Sequence, residues 1–235
     1  MVDAVLDWSG VRDVNAVLDV GCGVGGSSRH IARRYGASAR GVTLSPVQVQ
    51  RADALTKEAG LEGSVAFQVA DALALPFEDA SFDLVWSLES GEHMPDKQKF
   101  MSEMERVVKP GGRIILVTWC CRELQPGEAA FSDGDQRLLD RLCAAYFLPP
   151  WVPLSTYFSI ASDLGLRDIR TDDWSADVQP FWRAVIETAL TPQGVMGLLK
   201  SGLGTIKGAL VMPLMQQGLR RGLIRFNLLT ATKAS

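Results

Sequence analysis

The chain has 235 residues, a hydrophobic content of 47% and a charged content of 22%, which are typical of a globular protein with a sizeable core. Its net charge of −3 does not favour a nucleic-acid partner, because neutralising phosphates requires a basic surface. The four cysteines lack metal-ligand spacing, which indicates free thiols in a reducing compartment, and no signal peptide, transit peptide or uninterrupted membrane helix is recognisable.

The first half of the chain alternates between predicted strands and helices. Residues 1–10 predict an amphipathic helix. Five strands are then predicted, at 17–20, 39–43, 64–69, 82–88 and 113–119. The helices between them are predicted at 26–35, at 46–59 and at 96–108, with 109–112 ending the last one. This alternation predicts a parallel sheet with right-handed crossovers.

The second half departs from this alternation. Residues 120–154 carry scattered charges and prolines and predict an insertion after the fifth strand, where substrate specificity often resides. The remaining predicted elements are a helix at 155–164, a strand at 166–171, an unusually apolar helical block at 177–221 and a last strand at 223–231. We therefore expect a single domain over 1–235, with 120–154 and 177–221 as insertions on the substrate side.

The segment V-L-D-V-G-C-G-V-G-G-S-S at 17–28 joins the first strand to the helix that follows it. Its alternating glycines, Gly21, Gly23 and Gly25, allow a tight turn that approaches a ligand without intervening side chains. With Asp19 the string becomes D-x-G-x-G-x-G, which resembles motif I of the S-adenosyl-L-methionine (SAM) dependent methyltransferases. A purely structural turn is the alternative.

Gly21 and Gly23, together with Gly26, also satisfy G-x-G-x-x-G, the fingerprint of dinucleotide-binding proteins. That fingerprint needs an acid at the end of the second strand, where it binds the ribose. Residues 41–45 read G-V-T-L-S and contain no acid. A nicotinamide-dependent oxidoreductase is therefore a less favoured alternative, and a catalytically silent small-molecule binder is another.

Polar side chains follow the later strands, at the edge where open α/β sheets bind ligands. Gln48 can complete a capping box with Ser45 or contact a cofactor ribose. Asp71 is placed to accept from an exocyclic amine. The string E-S-G-E-H-M-P-D at 89–96 brings two glutamates and His93 to the end of the fourth strand. His93 can act as a general base or simply cap the next helix, whereas His30 is predicted to be structural.

Four strings together resemble one family more specifically. They are G-V-T-L-S-P-V-Q (41–48), E-S-G-E-H-M-P-D-K (89–97), V-T-W-C (117–120) and G-A-L-V-M-P-L-M (208–215). The chain is similar through them to the gamma-tocopherol methyltransferases of plants and algae, and related alkaloid N-methyltransferases share them. The resemblance implies a Rossmann-like class I methyltransferase fold, with seven mostly parallel strands and the last strand antiparallel.

The resemblance also implies roles for individual residues. The residues implied to bind SAM, or its product S-adenosyl-L-homocysteine, are Asp19, Gly21, Cys22, Gly23, Gly25, Thr43, Leu44, Gln48, Asp71, Ala72 and Ser87. Those implied to be catalytic are His93 and Glu89, and we expect no metal. Cys121 stands where the family tends to have a histidine. The family has several dozen further residues before the first helix, so we expect weak cofactor binding, slow methyl transfer and self-association for this sequence.

The function we predict is SAM-dependent methylation of a carbon on the phenolic ring of gamma-tocopherol or a similar chromanol. The alternative within the class is N-methylation of an indole or monoterpenoid alkaloid or another amine. The expected partner is a small-molecule acceptor, a prenylated phenol, with peripheral membrane contact through 177–221. The resemblance implies the chloroplast, with the cytoplasm as the alternative, and the sequence leaves the oligomeric state open.

Overall fold

A computed structural model of the protein describes residues 1–189, 191 and 203–234. The strands are β1 Ala16–Val20, β2 Ser38–Thr43, β3 Val65–Val69, β4 Phe82–Leu88, β5 Val108–Cys121, β6 Arg167–Asp173 and β7 Ile224–Thr232. The helices are α1 Val2–Ser9, α2 Gly26–Tyr35, α3 Pro46–Glu58, α4 Lys97–Val107, α5 Asp133–Tyr146, α6 Leu154–Asp163, α7 Ser175–Ala189 and α8 Leu203–Arg220. A 3₁₀ turn, Gly91–His93, lies between β4 and α4.

The seven strands form one sheet in the order β3-β2-β1-β4-β5-β7-β6. β1 pairs in parallel with β2 and β4, so that Asp19 lies opposite both Gly41 and Trp86. β7 runs antiparallel to β5, because Arg122 N–H donates to Leu223 O and Lys233 N–H donates to Gly112 O, at 2.8 and 3.0 Å. The predicted Rossmann-like sheet with an antiparallel last strand is confirmed.

The fifth strand is longer than the sequence predicted. It begins at Val108 rather than 113, because the Lys-Pro-Gly-Gly segment forms an irregular start of the strand instead of a separate turn. Gly111 has a positive φ of 74° and donates its N–H to Lys233 O at 2.9 Å. A glycine is needed there because other residues adopt this conformation only with strain.

The described chain divides into two compact units. The first comprises Met1–Thr118, Tyr157–Thr171 and Leu228–Ser235, and the second comprises Trp119–Thr156 and Asp172–Asn227. The two predicted insertions, 120–154 and 177–221, fall within the second unit. Part of the 177–221 block, namely 190 and 192–202, lies outside the described residues.

The core of the first unit is the buried face of its central strands. Val17, Leu18 and Val20 of β1 are fully buried, as are the side chains of Leu84, Val85 and Trp86 on β4. Such continuous apolar runs are typical of parallel strands covered on both faces. The local signals are in place at the helix starts as well: Ser45 accepts from Gln48 N–H, and Asp96 accepts from Lys99 N–H.

The second unit is built around helices and an aromatic cluster. α8 packs against both α5 and α7. The Trp119 ring stacks on Trp151, with centroids 6.4 Å apart, and meets the Phe226 ring edge-on at 4.7 Å. No helix among the described residues is both long and apolar enough to cross a membrane.

Candidate functional site

The glycine turn after β1 adopts a backbone conformation that side chains disfavour. Gly21, Gly23 and Gly25 have φ values of +80°, +54° and +75°. The N–H groups of Gly21 and Cys22 both donate to Val42 O, at 2.9 and 3.0 Å, which anchors the turn to β2. A Cβ on Gly23 would meet nothing within 4 Å, so this position opens onto free space. The turn therefore provides the close backbone approach that a ligand requires.

Two glycines, Gly25 in the turn and Gly41 on β2, make room for an aromatic ring that was not predicted from the sequence to belong to the site. A Cβ on Gly25 would lie 2.2 Å from Phe67 Cζ, and one on Gly41 would lie 2.5 Å from Phe67 Cδ1. Phe67, on β3, thus supports the turn from behind. The period-2 pattern of β3 could have indicated its face, but only the sheet order brings it to this turn.

Asp19 is the buried charge of the site. Its side chain is only 2% exposed, and its Oδ2 accepts from Ser28 Oγ at 2.6 Å. Burial raises the pKa of Asp19 to about 6, although the hydrogen bond from Ser28 opposes the shift. A carboxylate held in this way favours a cationic group beside it. Burial also raises the pKa of Cys22 to about 12, so that its thiol stays protonated and acts as an apolar wall.

The end of β2 presents a neutral polar pair. Thr43 Oγ1 donates to Gln48 Oε1 at 2.6 Å and accepts from Ser45 N–H at 3.3 Å. The Gln48 side chain therefore turns toward Thr43 and does not form the reciprocal bond of a capping box. Its Nε2 has no partner among the described residues and can donate to a ligand hydroxyl. Leu44, beside it, is 71% exposed.

Asp71 follows β3 and begins a tight turn. Its Oδ1 accepts from Leu73 N–H at 2.9 Å, and its main-chain oxygen accepts from Ala74 N–H at 3.1 Å. The side chain is exposed, and Oδ2 has no partner among the described residues. Asp71 can therefore accept a hydrogen bond from a ligand amine while the turn holds it in place.

The end of β4 is tied to the glycine turn by two serines. Ser90 Oγ donates to Val20 O at 2.9 Å and lies 2.6 Å from Ser87 Oγ. A Cβ on Gly21 would lie 2.3 Å from Ser90 Cβ, so the close contact requires glycine. Between the serines, Glu89 has a φ of +53°, a strained conformation that is frequent at functional sites.

The 3₁₀ turn places His93 at the same edge of the sheet. Its side chain is exposed, and no described residue forms a hydrogen bond with its ring. Partial burial of the ring and the positive charge of Lys97 lower the pKa of His93, so the imidazole is neutral at pH 7. Glu92, which could have oriented His93, is instead buried and accepts from Thr118 Oγ1 at 2.7 Å.

A cavity of about 550 Å³ collects most of these residues. Of the predicted cofactor and catalytic residues, those that line it are Asp19, Gly21, Cys22, Gly23, Thr43, Leu44, Gln48, Asp71, Ala72, Glu89 and His93. Gly25 and Ser87 are not among the lining residues: Gly25 faces Phe67, and Ser87 Oγ lies 2.6 Å from Ser90 Oγ. The other lining residues, to which no role was assigned from the sequence, are Val24, Ser27, Val42, Ala70, Leu88, Ser90 and Met94, together with Gly26 of the dinucleotide fingerprint. The described residues contain no cluster of histidine, cysteine or acidic side chains that could hold a metal ion.

A cofactor with an amino acid at one end and an adenosine at the other fits a cavity of this kind. The buried Asp19 and the open Gly23 suit its charged end, and the Gln48 amide and the Asp71 carboxylate suit the nucleoside. This combination of sheet and cavity is that of the SAM-dependent methyltransferases. The family described as methyltransferase domain matches residues 18–116.

Two plant proteins similar to this chain show which kind of methyltransferase it is related to. A protein of Oryza sativa subsp. japonica named Probable tocopherol O-methyltransferase, chloroplastic, is 54% identical over 99% of this chain and 66% of its own length. Tocopherol O-methyltransferase, chloroplastic, of Arabidopsis thaliana is 51% identical over 99% of this chain and 69% of its own length. The chain belongs to this family of plant tocopherol methyltransferases, whose cofactor is SAM, and it spans about two thirds of the length of these relatives.

More distant proteins share the fold. Norajmaline N-methyltransferase of Rauvolfia serpentina is 35% identical over 100% of this chain and 82% of its own length. Geranyl diphosphate C-methyltransferase from Streptomyces coelicolor A3(2) superimposes with a TM-score of 0.80, covering 99% of this chain and 79% of that one, at 23% identity. At that identity the second likeness shows the fold alone.

Proposed function

We propose that the cavity binds SAM and that the chain methylates a tocopherol-type chromanol. The observation that carries the proposal is that one cavity is lined by a buried acid, Asp19, and by the imidazole of His93, whose ring forms no hydrogen bond with any described residue. Asp19 would hold the amino-acid end of the cofactor at the glycine turn. Thr43, Gln48 and Asp71 would bind its ribose and adenine.

The reaction requires the protein to bind and position the two substrates while two protons move. They are the phenolic proton and the proton that the ring carbon loses after it takes the methyl group, which restores the aromatic ring. SAM supplies a methyl group that its sulfonium already activates. The chain's residues must hold the acceptor in line with it, which can lower the barrier by about 7–11 kcal/mol. His93, neutral at pH 7, would accept the phenolic proton and so raise the electron density at the neighbouring ring carbon. Glu89 would line the cavity beside it.

The acceptor class rests on the relatives. Both plant proteins carry tocopherol in their names, and a tocopherol is a phenol with a prenyl-derived tail. We propose the open ring carbon beside the hydroxyl as the methylated atom, because deprotonation by His93 activates that carbon as well as the oxygen. The alkaloid relative supports the alternative of an amine acceptor, at lower identity.

A panel of acceptors separates these outcomes. The protein would be incubated with SAM and three compounds: a chromanol with an open ring carbon, a fully ring-methylated chromanol with a free hydroxyl, and norajmaline. We expect a mass gain of one methylene on the first compound only. Methylation of both chromanols would indicate the hydroxyl oxygen instead, and product from norajmaline alone would overturn the chromanol proposal.

The role of His93 is tested separately from binding. His93→Ala should lower single-turnover methylation of the open chromanol by about 100-fold or more while leaving the affinity for S-adenosyl-L-homocysteine nearly unchanged. His30→Ala is the matched control, because His30 pairs with Asp3 at 2.8 Å on the surface. An unchanged rate in His93→Ala would return this residue to a structural role.

The compartment and the membrane contact belong to the same proposal. The plant relatives carry the word chloroplastic in their names, and we propose the chloroplast for this chain. Lipid contact through 177–221 is supported by Phe181, which is 63% exposed on α7. Phe181→Ser should weaken binding to galactolipid vesicles about tenfold, and Phe158→Ser on α6 serves as the control. Equal binding by both variants would contradict the membrane contact through this block.

A further inference from the structure

Lys97 is an unusual residue for its position. It is the first residue of α4, where the positive end of the helix dipole disfavours a cation, and yet it is only 8% exposed. Burying an ammonium group is costly unless it is paired or fully hydrogen-bonded. A lysine at this place therefore needs strong compensation.

The compensation comes from the turn that carries His93. Lys97 Nζ donates to the main-chain oxygens of Gly91, Glu92 and Met94, at 2.9, 3.1 and 2.6 Å. These carbonyls lie on both sides of His93 in the chain. The ammonium group thus gathers the carbonyls of the whole turn around itself.

Other contacts hold the same turn without a second cation. The hydroxyl of the buried Tyr157 donates to Gly91 O at 3.0 Å, and Glu92 accepts from Thr118. Gly91 has no room for a side chain, since a Cβ there would lie 2.9 Å from Thr118 Oγ1. The turn is therefore fixed from several directions, and Lys97 supplies the cation among these contacts.

We propose that Lys97 is a positioning residue for the site: its buried ammonium fixes the turn that presents His93 and keeps a positive charge beside the imidazole. The charge favours the neutral ring, which is the form that can accept a proton. The catalytic half of this inference rests on the proposed function, whereas the effect on the ring does not.

The charges around His93 determine the direction in which its pKa should move when the Lys97 charge is removed. The acidic residues around His93 are Asp19, Asp71 and Glu89, which line the same cavity, and the buried Glu92, which precedes it in the turn. A carboxylate would favour the protonated imidazole. Burial of the ring and the Lys97 charge act the other way, and the pKa of His93 is lowered in the balance. Removing the ammonium group should therefore raise the pKa of His93.

The experiment uses the fact that the chain has only two histidines. The imidazole ¹⁵N resonances would be titrated from about pH 5 to 8 in the wild type, in Lys97→Met and in Tyr157→Phe. The first variant removes the charge and keeps a similar volume. The second removes one hydrogen bond to the same turn and no charge, and His30 is the internal reference in all three proteins.

We expect the His93 titration to move to higher pH in Lys97→Met and to stay in place in Tyr157→Phe. An unmoved His93 titration in folded Lys97→Met, or an equal shift in Tyr157→Phe, would overturn the proposal. If Lys97→Met does not fold, Lys97→Gln is titrated in its place with the same expected shift, and a wild-type His93 pKa at or above about 6.5 contradicts the proposal in either case.

Turnover on the open chromanol gives the second readout. Lys97→Met should lose about 100-fold, the cost of a misplacement of about 1 Å, and the acid limb of its pH–rate profile should move upward with the His93 titration. Its affinity for S-adenosyl-L-homocysteine should stay near the wild-type value. If the wild type methylates no acceptor in the panel, the proposed function fails, but the titration still tests the role of Lys97.

Discussion

At the scale of single residues, the buried charge of Asp19 lowers the free energy of unfolding, whereas we propose that the same charge binds the cofactor. The pKa of Asp19 is raised to about 6 in the folded state, so the folded protein binds more protons than the unfolded chain between about pH 4 and 6. Asp19 therefore lowers the free energy of unfolding as the pH rises through this window, by about 3 kcal/mol in total. Relative to the wild type, Asp19→Asn should gain that amount between pH 4 and 7, measured by urea denaturation at each pH.

The same substitution should weaken the binding of the ligand. Asp19→Asn keeps an acceptor for Ser28 but loses the charge, and we expect the affinity for S-adenosyl-L-homocysteine at pH 7.5 to fall by at least about tenfold, as for the loss of a charged hydrogen bond. Ser28→Ala is the control, because it removes the hydrogen bond and keeps the carboxylate. A pH-independent stability difference, together with unchanged affinity in calorimetry, would remove Asp19 from the site.

Single residues also show how far the sequence could predict the site. Asp19, the glycines and His93 stand in local strings whose chemistry can be read without the fold. The roles of Phe67 and Ser90 cannot be found in that way, because their contacts with the glycine turn and its strands join positions 26 to 70 residues apart. Lys97 carried one local signal, a cation at the first position of a helix, but only the folded turn shows which carbonyls it binds.

At the scale of elements, the glycine turn depends on its fit to β3. Gly25→Ala would place a Cβ against the Phe67 ring and also force a non-glycine residue to a φ of +75°. Gly36→Ala is a matched control, since Gly36 has a φ of +66° with nothing within 4 Å of the added Cβ. The control should cost about 1–2 kcal/mol of stability from backbone strain alone, and Gly25→Ala should cost more.

Binding separates the two variants further. Gly25→Ala should weaken the binding of S-adenosyl-L-homocysteine, because the turn must shift. Gly36→Ala, at the far end of α2, should bind this ligand with wild-type affinity. Adding Phe67→Ala to Gly25→Ala should recover part of the lost stability through the double-mutant coupling. Equal stability and equal affinity in the two glycine variants would show that Phe67 does not constrain the turn.

A second element-scale prediction concerns the anchoring of α4 to the segment after Asp71. Glu103, only 6% exposed, accepts from Leu75 N–H at 2.9 Å, and Arg106 donates to Leu75 O and to Glu103. The hydrogen bond from Arg106 is the main cause that lowers the pKa of Glu103 to about 2. Glu103→Gln should lower the free energy of unfolding at pH 7 by about 1–3 kcal/mol.

The pH dependence of Glu103 has the opposite sign to that of Asp19. Because its folded pKa is depressed, its contribution is present above about pH 4.3 and is lost as the pH falls toward about 2. The stability curves of Glu103→Gln and the wild type should therefore converge in acid. Glu58→Gln, exposed on α3, is the control and should change stability by no more than about 0.5 kcal/mol. A constant difference at all pH values would argue against this linkage.

Most of the helices and strands could be predicted from the sequence. Strand–helix alternation and apolar periodicity are local properties, and they located the elements of the first half, together with α6, β6 and β7, to within a few residues except at the start of β5. There the Lys-Pro-Gly-Gly string has the chemistry of a turn, but pairing of Gly111 and Gly112 with Lys233, the residue that follows β7, extends the strand. That pairing joins residues more than a hundred positions apart, so no local pattern could indicate it.

At the scale of the whole molecule, the cavity that we propose for the cofactor belongs to one of the two compact units. Every residue that lines the cavity lies in the first unit, whereas α5, α7 and α8 belong to the second. A ligand that binds only the folded cavity stabilises the protein by mass action, by about 2.7 kcal/mol at 100 times its dissociation constant. Ligand binding should therefore directly raise the free energy of unfolding of the first unit.

Hydrogen exchange tests this expectation. S-adenosyl-L-homocysteine should slow exchange in peptides that cover 21–28, 43–48, 71–73 and 87–94, because these segments line the cavity. Peptides from α5 and α8 should change little, and reduced nicotinamide adenine dinucleotide should protect none of them, since the end of β2 lacks the acid that binds its ribose. Asp19→Asn provides the matched control, in which the protection by S-adenosyl-L-homocysteine should be largely lost. Protection of the glycine turn by the nicotinamide cofactor alone would contradict the assignment of the cavity to SAM, and protection confined to α5 and α8 would place the ligand elsewhere.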